Sequence, residues 1–126
     1  MLDPQQLQAG LAQFTGTETW YRFRIGENPI GLYTEGIQWL AENADCYWLL
    51  TEVFLAQAQE TIRQEPFQVW QLTVDDNGQG QLTCEEGNGK RVFTKSIPYT
   101  DFPLEEISFW LEYDGEMPVL LLPREH

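Results

Sequence analysis

From residue 67 to residue 122 the chain alternates apolar and polar side chains and is cut repeatedly by turn residues. No other feature restricts the fold as much, because a period of two buries one face of a strand and exposes the other. Residues 67–74 are rich in β-branched and aromatic side chains, and Asp75-Asp76-Asn77-Gly78 follows them. Asn-Gly accepts the positive φ of a type I′ turn, so a hairpin is expected there. In 81–85, Leu82 and Cys84 point one way and Gln81, Thr83 and Glu85 the other. Gly87-Asn88-Gly89 turns the chain into 92–97, and 98–103 reads as an ordered loop between two prolines. Ile107, Phe109, Leu111 and Tyr113 then alternate strictly, and Asp114-Gly115 leads into a fifth strand at 118–122. Strands joined by such short turns pair antiparallel, so this half is expected to form a meander.

The first half reads as helices. Asp3 and Pro4 suit the N-cap and first position of a helix over 4–14, with Leu7, Leu11 and Phe14 on one face. Residues 20–24 form a short strand, which Gly26-Glu27-Asn28-Pro29 ends. Thr34 caps a helix over 35–43, and Asp45 caps a longer one to about residue 64, which Pro66 stops. Its two apolar stripes make it the central packing element. The expected fold is α+β: a largely antiparallel five- or six-stranded meander packed against two central helices, with an N-terminal helix. The strand near Trp20 is expected at a sheet edge. With no linker, repeat or low-complexity tract, residues 1–126 read as a single domain.

The charge is lopsided. Seven Lys/Arg stand against twenty Asp/Glu, a net of −13. Residues 1–63 contribute −5 (three basic, eight acidic) and residues 64–126 contribute −8 (four basic, twelve acidic). Direct nucleic-acid binding needs a surplus of cations, and so does an anionic membrane; both are disfavoured. A basic protein partner is compatible. The two cysteines, Cys46 and Cys84, form no C-x-x-C pair, which removes zinc and thioredoxin-like chemistry. The opening residues lack a signal peptide's basic start and apolar run, and no stretch of about eighteen apolar residues occurs. A cytoplasmic protein with reduced thiols is expected.

Catalytic equipment is sparse. The one histidine is His126, so neither a Ser-His-Asp arrangement nor a histidine-based metal site is expected. Gly87-Asn88-Gly89-Lys90 lacks the spacing of a phosphate loop, and Asp75-Asp76-Asn77-Gly78 falls short of a calcium loop. No cofactor is expected. Carboxylates remain: Glu18, Glu85-Glu86, Asp101 and Glu105-Glu106. A small enzyme would draw on Glu18, Tyr21, Thr100 and Asp101. A binding module would use the loop Tyr99-Thr100-Asp101-Phe102-Pro103, with Tyr99, Asp101 and Phe102 presented to a ligand unless Asp101 merely caps its own turn. Trp20, Trp48 and Trp70 read as core. Trp110 alternates out of phase with Ile107, Phe109 and Leu111, so it faces the other side of the sheet and could anchor a partner there or lie under the first helix.

Several segments together carry a resemblance over nearly the whole length. They are Phe14-Thr15-Gly16-Thr17-Glu18 with Tyr21, Tyr33-Thr34-Glu35-Gly36, Tyr47-Trp48-Leu49-Leu50 and Phe67-Gln68-Val69-Trp70. The series continues with Thr83-Cys84-Glu85-Glu86-Gly87-Asn88-Gly89, Tyr99-Thr100-Asp101-Phe102-Pro103 and Leu121-Leu122-Pro123. In these the chain resembles an uncharacterised family of small bacterial proteins, a domain of unknown function often found in phage- or plasmid-associated gene sets. The resemblance implies a bacterial cytoplasmic protein and a mobile-element context. It implies no activity and no substrate.

The leading expectation is a non-catalytic, acidic protein-binding module, for which a homodimer is also compatible. A sharper version makes it an acidic nucleic-acid mimic acting on a basic protein, with Glu105, Glu106, Glu112, Asp114 and Glu116 near one end of the sheet. The alternatives are a small carboxylate-dependent enzyme and a subunit that pairs edge strands with another copy.

Overall fold

The computed structural model describes residues 2–126. Helix α1 spans Pro4–Leu11. Asp3 accepts from the Gln6 amide at 2.8 Å, and the Gln6 side chain accepts from the Asp3 amide at 3.3 Å, which closes a capping box. The helix stops three residues short of the expected end, and Phe14 instead packs against Trp39 with ring centroids 5.8 Å apart. Helix α2, Glu35–Asn43, is capped by Thr34 as expected: its hydroxyl accepts from the Ile37 amide at 3.4 Å.

The expected helix over 45–64 is two helices, α3 (Tyr47–Ala56) and α4 (Glu60–Arg63). Asp45 does not cap it. Asp45 lies in the left-handed region (φ 50°), which a short polar side chain tolerates, and Cys46 takes the capping position. The break after Ala56 goes with side-chain hydrogen bonds on either side of it. Gln57 turns its amide into the core towards Gln68, and the Arg63 guanidinium donates to the carbonyls of Gln57 (3.3 Å) and Ala58 (3.2 Å). Carbonyls that a continuous helix would have bonded internally are satisfied by that side chain.

Seven strands form one sheet, one or two more than expected: β1 (Trp20–Ile25), β2 (Asn28–Thr34), β3 (Phe67–Val74), β4 (Gly80–Glu86), β5 (Arg91–Ile97), β6 (Glu106–Asp114) and β7 (Met117–Leu121). Their order is β1-β2-β7-β6-β3-β4-β5. The strand at Trp20 is an edge, as expected. Strand β2 was hidden by Pro29, which reads as a breaker but enters at the start of the strand, where a missing N–H is tolerated. The meander is also interrupted. Strand β6 does not pair with β5 but returns to β3. The connecting loop crosses the β3–β4 turn, with the Thr100 amide donating to Gly78 (2.8 Å) and the Val74 amide to Glu105 (2.8 Å). Strands β2 and β7 run parallel, so the sheet is mixed although mostly antiparallel.

Helices α2 to α4 cover one face. Trp70, Leu72, Leu82, Phe109, Leu111 and Leu120 point into that core, where Leu40, Leu49, Leu50, Val53 and Ile62 meet them. Helix α3 lies close to the sheet: the Phe54 ring occupies the space a Cβ would need at Gly31, and it stacks on Phe23 at 4.9 Å. Both thiols are buried here, and burial pushes Cys46 and Cys84 up to about 12.

Candidate functional site

The opposite face of the sheet is the feature that parity and register build together. Arg22 pairs with Leu32, Leu32 with Val119, Val119 with Glu112, and Glu112 with Phe67. These five side chains form a row across five strands on the side away from the helices. Leu121, Trp110 and Val69 form the neighbouring row. At the β1 end stands Trp20, 52% exposed although the sequence reading placed it in the core. Tyr21 and Phe23 point inward, so Trp20 must point outward. Trp20, Leu32 and Val119 form the apolar wall of a shallow depression of about 520 Å³, and Glu112 and Asp114 supply its carboxylates.

Trp110 does face away from Ile107, Phe109 and Leu111, as its parity requires, and it is half-buried. Its ring meets the edge of Phe67 at 5.2 Å and of His126 at 5.4 Å, so neighbours on its own face shield it and α1 does not. His126 also stands 3.2 Å from the Glu112 carboxylate. The preceding turn, Pro123–Glu125, is fixed to α2: the Glu125 carboxylate accepts from the Thr34 hydroxyl (2.6 Å), the Gly36 amide (3.0 Å) and the Leu122 amide (2.9 Å). No motif in the sequence marks Glu125. Nothing local in the sequence pairs Glu125 with a helix start 89 residues away.

The other residues singled out in the sequence lie elsewhere. Glu18 is exposed just before β1, and Tyr21 stacks on Tyr33 at 5.5 Å on the helix side. Tyr99, Thr100, Asp101 and Phe102 lie in the loop leaving β5, the opposite edge. Tyr99 is 72% exposed, but Phe102 is buried and is not presented to a ligand. Thr100, not Asp101, closes the loop: its hydroxyl accepts from the Phe102 amide at 3.1 Å. Thr100 bonds to the β3–β4 turn, so β2, β7 and β6 lie between it and the strand that Glu18 and Tyr21 begin, and the four form no common cleft.

The carboxylates are divided too. Glu105 and Glu106 lie at the start of β6 and Asp114 at its end, about 26 Å away for a strand of that length, so the five acids do not gather at one end. Glu105 and Glu106 instead line a cleft of about 850 Å³ with Asp75 and Asp76. Asp75 is engaged by its own turn, accepting from the amides of Asn77 (2.9 Å) and Gln79 (3.0 Å). Among the described residues no group of three or more His, Cys, Asp or Glu is placed to hold a metal ion. No helix among them is long and apolar enough to cross a membrane.

Cations are segregated as well. Arg22 and Arg24 lie on β1, and Lys90, Arg91 and Lys95 lie on or beside β5, so five of the seven basic side chains sit at the two sheet edges. Among the described residues the one ion pair joining Lys or Arg to a carboxylate is Lys95 with Glu52, at 2.7 Å.

A family model described as a family of unknown function (DUF6876) matches residues 5–126. The chain belongs to that family. No curated protein matches it. It is similar to a protein of unknown function from Enterococcus faecalis, seen in a crystal structure. The identity is 15%, the alignment covers 75% of this chain and 87% of that one, and the TM-score is 0.50. A likeness at that identity shows a shared fold.

Proposed function

We propose that this member of DUF6876 is a protein-binding module whose docking surface is the helix-free face of the sheet, and that its partner is basic with apolar side chains between its charges. One observation carries the reading: an exposed Trp20 stands at the rim of a depression with an apolar wall of Leu32 and Val119 and a polar wall of Glu112 and Asp114. An exposed tryptophan is the residue type most often found at the energetic centre of an interface. Carboxylates beside it favour a Lys or Arg that stacks on the indole while it faces Glu112. The net charge of −13 adds long-range attraction for such a partner.

An alternating Lys–Leu octapeptide serves as a probe, with nuclear magnetic resonance titration as the readout. The expected result is shifts confined to Trp20, Leu32, Val119 and Glu112 that weaken with added salt. Trp20→Ala should lower affinity about tenfold, and Glu112→Gln by a smaller factor. If the shifts gather instead at Asp75, Asp76, Glu105 and Glu106, or if Trp20→Ala binds as wild type does, the docking face is wrongly assigned.

A further inference from the structure

We propose that residues 123–126 form a latch over the docking face, holding His126 where a partner's cation must go, so that binding requires its displacement. This rests on the reading of the open face as a docking surface. His126 lies over that face, 3.2 Å from Glu112 and edge-on to Trp110. Glu112 is the one carboxylate of the Arg22-to-Phe67 row, so the chain itself occupies the anion that a basic partner would seek.

The hold is polar. Leu122 stays in the core, and beyond it the segment is held by the hydrogen bonds from Thr34 and Gly36 to Glu125, by one from Arg124 to the Ala12 carbonyl at 3.2 Å, and by His126 against Glu112 and the edges of Trp110 and Phe67. Opening the segment therefore breaks hydrogen bonds that water can replace and exposes little apolar core. Segments held in this way open locally at a small fraction of the global unfolding free energy. The seat is nonetheless specific. A Cβ at Gly36 would meet the Glu125 carboxylate at 2.7 Å, so only glycine leaves room for it. The carboxylate also sits at the positive end of α2. Because Glu125 and His126 are adjacent, release of the first frees the second.

Three proteins are compared: wild type, Glu125→Ala and His126→Ala. His126→Ala clears the face without touching α2, which covers the case in which Glu125→Ala disturbs that helix. Without ligand, the Trp110 indole signal should move in both variants while that of the core Trp70 stays in place. With the Lys–Leu octapeptide, each variant should bind about two- to fivefold tighter than wild type, the range an exposed polar contact supplies. If all three proteins bind the peptide at Trp20 with equal affinity, the latch is overturned and the docking face stands. If none shows a shift at Trp20, the docking face falls. The latch is then decided by the unliganded Trp110 signal: movement in Glu125→Ala retains it as a conformational device, and no movement removes it.

Discussion

Gln57 and Gln68 face each other as a closed amide pair, each side-chain nitrogen donating to the other's oxygen at 2.9 Å. Trp70 Nε1 also donates to Gln68 (2.9 Å) and the Tyr113 hydroxyl to Gln57 (2.9 Å). The nitrogens reach the carbonyls of Val53 (3.1 Å), Ile62 (2.9 Å) and Glu65 (3.1 Å). Two glutamines thus tie the ends of α3 and α4 to β3 and β6. They explain why the long apolar helix breaks where it does.

Gln68→Leu should cost about 2–4 kcal/mol. It leaves the Trp70 N–H buried without its partner and takes one bond each from the Gln57 amide and the Ile62 and Glu65 carbonyls, and an unmade buried bond costs about 1–3 kcal/mol. Urea unfolding followed by tryptophan fluorescence measures the change. A loss below about 0.5 kcal/mol, the size of an ordinary surface substitution, would show that the pair does not hold the helices to the sheet.

Alkaline pH should destabilise the fold. An unfolded thiol titrates near about 8.5, whereas burial pushes both Cys46 and Cys84 up to about 12. Between those values the unfolded chain releases protons that the folded one keeps. The contribution is therefore complete below about pH 8.5 and shrinks as pH rises towards 12, on the order of 1 kcal/mol per pH unit for each thiol. Burial of Tyr33 and Tyr113 acts in the same direction at higher pH. Unfolding midpoints from pH 7 to 10.5 should fall, and Cys46→Ala with Cys84→Ala should flatten the slope. At pH 8 a thiol reagent should label the folded protein far more slowly than the urea-unfolded chain.

The basic side chains at the sheet edges should keep copies apart. Strand β1 pairs only with β2, and β5 only with β4, which leaves two rows of strand-pairing groups open. Like charges on Arg22 and Arg24, and on Lys90, Arg91 and Lys95, oppose the meeting of edges. Replacing Arg22 and Arg24 together by Thr should raise self-association, read by light scattering at matched concentrations. A double variant as monomeric as wild type would mean that the charges do not guard that edge.

Much of the sheet was legible because strand parity is local. The alternation of Ile107, Phe109 and Leu111 placed Trp110 on the opposite face before any coordinates, and the same argument applied to Tyr21 and Phe23 would have turned Trp20 outward. Helix starts at Asp3 and Thr34 were legible for a similar reason: a cap bonds an amide two or three residues away. Pro29 misled because a proline that breaks a strand interior is harmless at a strand entry. The long helix over 45–64 misled because its apolar stripes continue across a break imposed by Gln68, eleven residues from Gln57.

Composition, parity and turn chemistry determined on their own that helices cover an antiparallel array of strands, that the surface is acidic, and that Trp110 lies opposite the core. These are properties of neighbours in the chain. The return of β6 to β3, the parallel contact of β7 with β2, the separation of Glu18 and Tyr21 from Thr100 and Asp101, and the meeting of His126 with Glu112 belong to the tertiary structure. Each brings together residues far apart in the chain, and loop closure together with side-chain packing, not local preference, selects which strand lies beside which.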